Sequence, residues 1–172
     1  TATSSTAGEG TTAVSIPVSI SSTSAATVDY SVTGGTATGS GTDYTLASGT
    51  LTFTDGGATT QNITFIVVDE ALYELDETII ITLTNSTGAN LGTNTVHTYT
   101  ITNDDAMPIV AFTATSSSGA ESVTAPTITV TLSGASALAT TVDYAASGTS
   151  SASGGSDYTL AAGTLTFAAG TT

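Results

Sequence analysis

Apolar and polar residues alternate with a period of two through most of this chain, in short runs separated by Gly, Ser, Asn and Asp. That period places successive side chains on opposite faces of a strand, and the intervening residues are those that favour turns. The pattern predicts strands at 13–21, 27–33, 50–54, 60–68, 77–85 and 94–103, followed by a further strand in IVAFTAT at 109–115. In TFIVVD and TIIITLT an apolar set alternates with Thr, whose branched β-carbon suits an exposed strand face. Only EALYELDE has helix formers, and it is too short and acidic to hold a helix alone. The expected class is all-β.

An internal repeat sets the domain organisation. TVDYSVTGGTATGSGTDYTLASGTLTF at 27–53 returns as TVDYAASGTSSASGGSDYTLAAGTLTF at 141–167, displaced by 114 positions. Upstream, GEGTTAVSIPVSIS aligns with GAESVTAPTITVTLS, which brings Glu9 onto Glu121 at a displacement of 112. A period of that length is one immunoglobulin-sized, antiparallel β-sandwich, so tandem sandwiches are predicted. The expected boundaries are 1–107 for a sandwich whose first strand is missing, with no counterpart of IVAF, and 108–172 for the N-terminal half of a second. A half sandwich exposes apolar faces and strand edges, which a continuing chain or a neighbouring chain would have to cover.

Composition narrows the function. Ala, Gly, Ser and Thr dominate, charged residues make up 8% of the chain, and the mean hydropathy is positive, which together argue against long disorder. No stretch approaches the roughly 18 to 20 consecutive apolar residues of a membrane-spanning helix, and no signal-peptide pattern opens the chain. Cys is absent, so no disulfide staples the fold. The chain holds fourteen Asp and Glu, no Lys or Arg, and a net charge of −14. Nucleic acid and direct contact with an anionic membrane are therefore excluded as expectations, since phosphate recognition needs basic side chains. Most of the carboxylates fall at predicted strand ends: Glu9, Asp43, the run at 69–77, and Asp104 with Asp105. If those ends meet, a hard cation is the natural counter-charge, and oxygen-only donors without His or Cys suit calcium.

The ordered motifs identify a family. Glu9–Gly10, VDY at 28–30, GTATGSGTDYTLASGTLTF at 35–53, VVDEALYELDET at 67–78, ITLTNSTGANLGTNTVHTYTITNDD at 81–105, and DYTLAAGTLTF in the second repeat resemble the Calx-beta family. That family occurs in sodium–calcium exchangers, an integrin β chain and large bacterial surface proteins. The resemblance implies Ca2+ held at one pole by Glu9, Asp43, Asp69, Glu70, Glu74, Glu77, Asp104 and Asp105, with the Leu72 carbonyl as a backbone donor. Asp43, Asp69, Glu74 and Asp105 rank first among them. Two departures, Asp69-Glu70-Ala71 in place of an Asp run and Asn103 in place of Asp, point to one or two ions. The second repeat keeps only Glu121 and Asp157, too few for the roughly six to eight oxygens calcium takes.

The remaining candidates read as structural. Asp29, Asp55, Asp76 and Asp143 are expected to be solvated, and His97 to be a strand residue with no nucleophile beside it. Tyr30, Tyr44, Tyr144 and Tyr158 recur with the repeat and are expected to pack. Asn62 and Asn85 head N-glycosylation patterns, which arise readily by chance in a Thr-rich chain. No phosphate-binding loop, nucleophile elbow or transition-metal cluster is present, so no enzymatic activity is expected. The preferred expectation is a calcium-stiffened repeat of an extracellular or cell-surface stalk, adhesin or filament, with calcium at an interdomain pole. Its partners would be adjacent repeats of the same or neighbouring chains, together with cell-surface or matrix ligands. The alternatives are a calcium-sensing regulatory module, and a self-assembling fibre subunit completed by a neighbour's strands.

Overall fold

A computed structural model describes residues 2–11 and 13–172. The strands are β1 (Ser4–Gly8), β2 (Val14–Ser19), β3 (Ala26–Gly35), β4 (Tyr44–Thr45), β5 (Gly49–Phe53), β6 (Thr60–Val67), β7 (Glu77–Thr87), β8 (Val96–Thr102), β9 (Val110–Phe112), β10 (Val130–Leu132), β11 (Thr140–Tyr144) and β12 (Gly163–Phe167). Two compact units form, Thr1–Glu70 with Leu75–Asp104, and Ala71–Glu74 with Asp105–Thr172.

The first unit is a β-sandwich. One sheet has the order β1-β8-β7-β3-β5 and the other β2-β6-β4. The alternation read in the sequence is the cause: β2 runs buried, exposed, buried, and Ile63, Phe65 and Val67 of β6 are buried between exposed Thr64 and Ile66. These side chains meet Val28 of β3, Leu51 and Phe53 of β5, Ile79 and Ile81 of β7, and Tyr99 and Ile101 of β8 in one core. Tyr99 stands edge-on to Phe65, with ring centroids 5.2 Å apart at 84°, the arrangement favoured by the ring quadrupoles. Burial pushes the Tyr99 phenol up from its ordinary pKa.

Two short strands escape the alternation rule. β1 reads SSTAG, with no apolar period, and it joins β8 in parallel rather than antiparallel. Its seam is held partly by His97, whose Nδ1 lies 3.0 Å from the Ala2 carbonyl oxygen and whose Nε2 lies 2.7 Å from Ser5 Oγ. Because a carbonyl only accepts, Nδ1 donates to Ala2, and in the neutral ring Nε2 accepts from the Ser5 hydroxyl. His97 is thus a strand residue, with the Ser5 hydroxyl beside it where no nucleophile was expected. β4, of two residues, pairs Tyr44 with Val67 and Thr45 with Ile66.

Asp29, expected to be merely solvated, ties three strands together. Its Oδ1 accepts from Thr50 Oγ1 of β5 at 2.6 Å and its Oδ2 from Asn85 Nδ2 of β7 at 3.1 Å. Asn85 reaches it because β7 bulges there: the register jumps between Thr27↔Thr87 and Asp29↔Thr84, and Asn85 takes φ 48°. The two hydrogen bonds hold the Asp29 carboxyl below its ordinary pKa, Thr50 contributing more. Gly35 closes the far end of β3 at φ 120°, where an added Cβ would stand 2.0 Å from the Thr78 carbonyl oxygen, so only glycine fits.

The second unit repeats this chemistry. β11 pairs with β12 as β3 pairs with β5, Val142 opposite Leu165 as Val28 is opposite Leu51. Thr164 Oγ1 donates to Asp143 Oδ1 at 2.6 Å as Thr50 does to Asp29. Tyr30 lies over Gly49 and Tyr144 over Gly163 so closely that a Cβ would come within 2.6 and 2.7 Å of the phenol oxygens. A second pair, β10-β9, joins Val130 to Phe112. Tyr73 forms a parallel bridge with Ser136, which is buried and donates through Oγ to the Tyr73 carbonyl at 3.4 Å.

Two outcomes follow. Ile79→Ala, at a site with 0% exposure, should cost about 2–5 kcal/mol in urea unfolding, the range for a truncated and uncollapsed core site. Asp29→Asn should lower the melting temperature at neutral pH and flatten its acid limb. A carboxyl whose folded pKa is depressed contributes its full stabilisation above its ordinary pKa of 3.8 and loses it as pH falls through the folded value. A melt series from neutral pH to pH 2 checks both the offset and the flattening.

Candidate metal centre

Strand ends of the first unit gather the acidic residues, because each stretch of carboxylates follows or precedes a strand that the core has fixed. Glu9 follows β1, and its N–H extends the pairing by donating to the Thr102 carbonyl at 3.2 Å. Only 4% of Glu9 is exposed, although it is ionisable. Asp104 follows β8, and its Oδ2 accepts from the Gly10 N–H at 3.3 Å, bringing it beside the Glu9 turn. A Cβ on Gly10 would lie 3.1 Å from that same oxygen. Asp69 and Glu70 follow β6, and Glu77 opens β7 opposite Ile101 of β8.

Asp43 is set by its own loop. Its Oδ2 accepts from the Thr38 N–H, its N–H donates to the Thr38 carbonyl at 3.0 Å, and its carbonyl accepts from Val68 N–H at 2.9 Å. The repeat has a related loop, with Asp157 Oδ2 accepting from Ser153 N–H at 2.7 Å, four residues before it where Thr38 lies five before Asp43. Asp76, expected to be solvated, instead accepts from the Asn103 N–H at 3.1 Å and so secures the end of β8.

These backbones bring carboxylate oxygens of the first unit together. Glu9 has one within 4.8 Å of Glu70 and one within 4.8 Å of Asp104, and Asp43 stands in the same relation to Glu77. Glu9 belongs to both of the first two pairings, so Glu70 and Asp104 converge on it. Glu9 is buried, Glu70, Asp43 and Glu77 are half-buried, and Asp104 is exposed. Among the described residues Asp69 is exposed and belongs to no such grouping. Leu72 and Glu74, both half-buried, lie in the 71–74 segment of the second unit, which also begins again at half-buried Asp105.

A calcium ion binds oxygen at about 2.3–2.6 Å, so two oxygens on one ion lie no more than about 5 Å apart. The 4.8 Å groupings meet that limit. The donors are all hard carboxylate oxygens, one of them from a buried Glu, with no Cys or His among them. Residues and spacing therefore fit a hard cation such as calcium.

The chain is similar to proteins of known family and fold. The family profile described as Calx-beta domain matches residues 2–105 and again 103–172. Among solved structures, the calcium binding domain CBD12 of CALX1.1 is 31% identical, with a TM-score of 0.56, covering 64% of this chain and 46% of that one. The apo-form Calx CBD1 domain is 31% identical, TM-score 0.54, covering 60% of this chain and 92% of that one. CBD12 from CALX1.2 is 29% identical, TM-score 0.56, covering 96% of this chain and 66% of that one. The chain thus spans about half of one CBD12 structure and two thirds of the other. No curated protein sequence matches it.

Like charges this close repel when no cation separates them. At 4.8 Å one pair costs about 1 kcal/mol in a water-like dielectric and more where burial lowers it. Glu70→Gln should therefore raise the melting temperature in the presence of a chelator, and thermal melts in EDTA of the two proteins measure the difference directly.

Proposed function

Because the chain belongs to the Calx-beta domain family, we propose that it is a calcium-binding module in which the ion sets the stiffness of a tandem β-sandwich array. The observation that carries this reading is the convergence of Glu70 and Asp104 on buried Glu9 in a protein with no basic side chain. Glu9, Glu70 and Asp104 are the principal ligands, with Asp43 and Glu77 forming the second part of the acidic pole. Asp69 joins them on the strength of the family resemblance.

When bound, calcium supplies charge neutralisation and a rigid oxygen shell. The chain's own residues do the rest. The Glu9 and Gly10 amides hold the β1 turn to Thr102 and Asp104, and the Thr38 amide orients Asp43. Loss of the ion leaves these carboxylates to repel one another, so the loops that carry them loosen while the core below stays packed. That difference converts ion occupancy into stiffness.

The cellular setting we favour is an extracellular or cell-surface stalk, adhesin or filament, with no catalytic role. A Thr-rich strand surface and a chain without Lys or Arg, hence without a trypsin-type cleavage site, suit it. The second reading, a calcium-sensing regulatory module, is favoured by the likeness to calcium-binding domains of Calx.

Thermal melts in EDTA and in calcium, with magnesium as the control, test the proposal on the whole chain. Calcium at about 100 times its Kd should add about 2.7 kcal/mol of stability. Glu70→Gln with Asp104→Asn should abolish that gain. Coincident melts, together with no binding heat in a calcium titration, would overturn the ion mechanism.

A further inference from the structure

Where β8 leaves the sandwich at the acidic pole, its end is gripped from both sides. Main-chain N–H and C=O groups of alternate strand residues point to opposite edges. Thr98 N–H donates to the Thr3 carbonyl at 2.9 Å and the Thr102 carbonyl accepts from Glu9 N–H at 3.2 Å, so the even-numbered residues of β8 face β1. The odd-numbered ones face β7. Asn103 is the next of these after Ile101, which pairs with Glu77 as the last step of the β7–β8 register. There a side chain takes over from the ladder: Asp76 Oδ1 accepts from the Asn103 N–H at 3.1 Å.

Both partners of this hydrogen bond stand next to candidate ligands. Asn103 precedes Asp104, whose Oδ2 accepts from the Gly10 N–H at 3.3 Å and which has a carboxylate oxygen within 4.8 Å of Glu9. Asp76 precedes Glu77, which stands within 4.8 Å of Asp43. One hydrogen bond therefore joins a segment from each part of the acidic pole. Asp76 is itself exposed and, among the described residues, belongs to none of the carboxylate groupings. As a charge it opposes its neighbours, since like charges disfavour one another's ionised form. As an acceptor aimed at a backbone N–H it makes the stronger, charge-assisted kind of hydrogen bond.

We infer that Asp76 is a positioning residue of the candidate metal centre: it touches no ion, and by holding the Asn103 amide it fixes where the Asp104 carboxylate stands relative to Glu9. The inference rests on the calcium reading of the acidic pole. Without the hydrogen bond the end of β8 frays just before Asp104, and ion binding must then order it again at a cost in conformational entropy. The acceptor oxygen carries the effect, and the charge does not.

Two substitutions in the whole chain separate these properties, because Asp76→Asn keeps an acceptor oxygen without the charge and Asp76→Ala removes both. In calcium titrations by chelator competition, Asp76→Ala should raise the Kd about tenfold, equivalent to about 1.4 kcal/mol, and Asp76→Asn should stay within about threefold of the unsubstituted chain. In EDTA, with no ion involved, hydrogen exchange at the Asn103 and Asp104 amides should quicken in Asp76→Ala and much less in Asp76→Asn. Unchanged exchange at the buried Ile79 and Ile81 amides shows that the fold is intact in both. An unaltered Kd or unaltered Asn103 exchange in Asp76→Ala overturns the inference. So does equal weakening in Asp76→Asn, which would make Asp76 a ligand or a bulk charge. Absence of calcium binding by the unsubstituted chain is a separate outcome, which sinks the calcium reading and this inference with it.

Discussion

Packing of the β2 and β6 side chains of one sheet against those of β3, β5, β7 and β8 of the other is the interaction on which the first unit depends. The chain is built from light residues, and its core rests on a short set of large ones: Phe53, Ile63, Ile79, Ile81 and Val67 are the largest fully buried side chains. Each is useful only when a second sheet lies above it, since a single sheet face leaves such side chains in water. The second unit displays the same local chemistry: its hairpin register, its Tyr-over-Gly contact and its Asp–Thr hydrogen bond are all in place.

The acidic pole is a consequence of that packing. Once hydrophobic burial has fixed the strands, their ends are fixed too, and carboxylates far apart in sequence arrive within 4.8 Å of one another. Folding energy from the core holds charges together that would separate if free. In a chain without Lys or Arg no basic side chain offsets these charges, which favours a cation drawn from solution. Fold and proposed ion are linked in this way: the core supplies the geometry, and the ion supplies the charge.

Hydrogen bonds refine the arrangement where alternation gives no instruction. Asp29 joins β5, β3 and β7 through Thr50 and Asn85, and Asp76 anchors Asn103. His97 pins the parallel edge strand through Ser5 and Ala2. None of these pairings has a sequence signature, because each joins residues more than twenty positions apart.

Period-two alternation was enough to locate β2, β3, β5, β6, β7 and β8 to within a few residues, and the 114-residue repeat was enough to announce a second copy of the β3–β5 hairpin. Both signals are local or self-referential, so they can be read without knowing which strand meets which. β1 and β4 were not legible: SSTAG has no apolar period, and Tyr44–Thr45 is too short to show one. Among the carboxylates, position at strand ends was legible, whereas grouping was not. Asp69 and Glu70 are neighbours in sequence, yet Glu70 meets Glu9 while Asp69 stays exposed outside the groupings. Glu9, a candidate of the acidic pole but not among the four ranked first, is the buried member shared by two of them. The sequence by itself determined the strand class, the repeat and the sign of the charge, because these follow from residue type and spacing. Which acids converge and which strands pair came only from the tertiary structure, because both depend on contacts between segments distant in the chain.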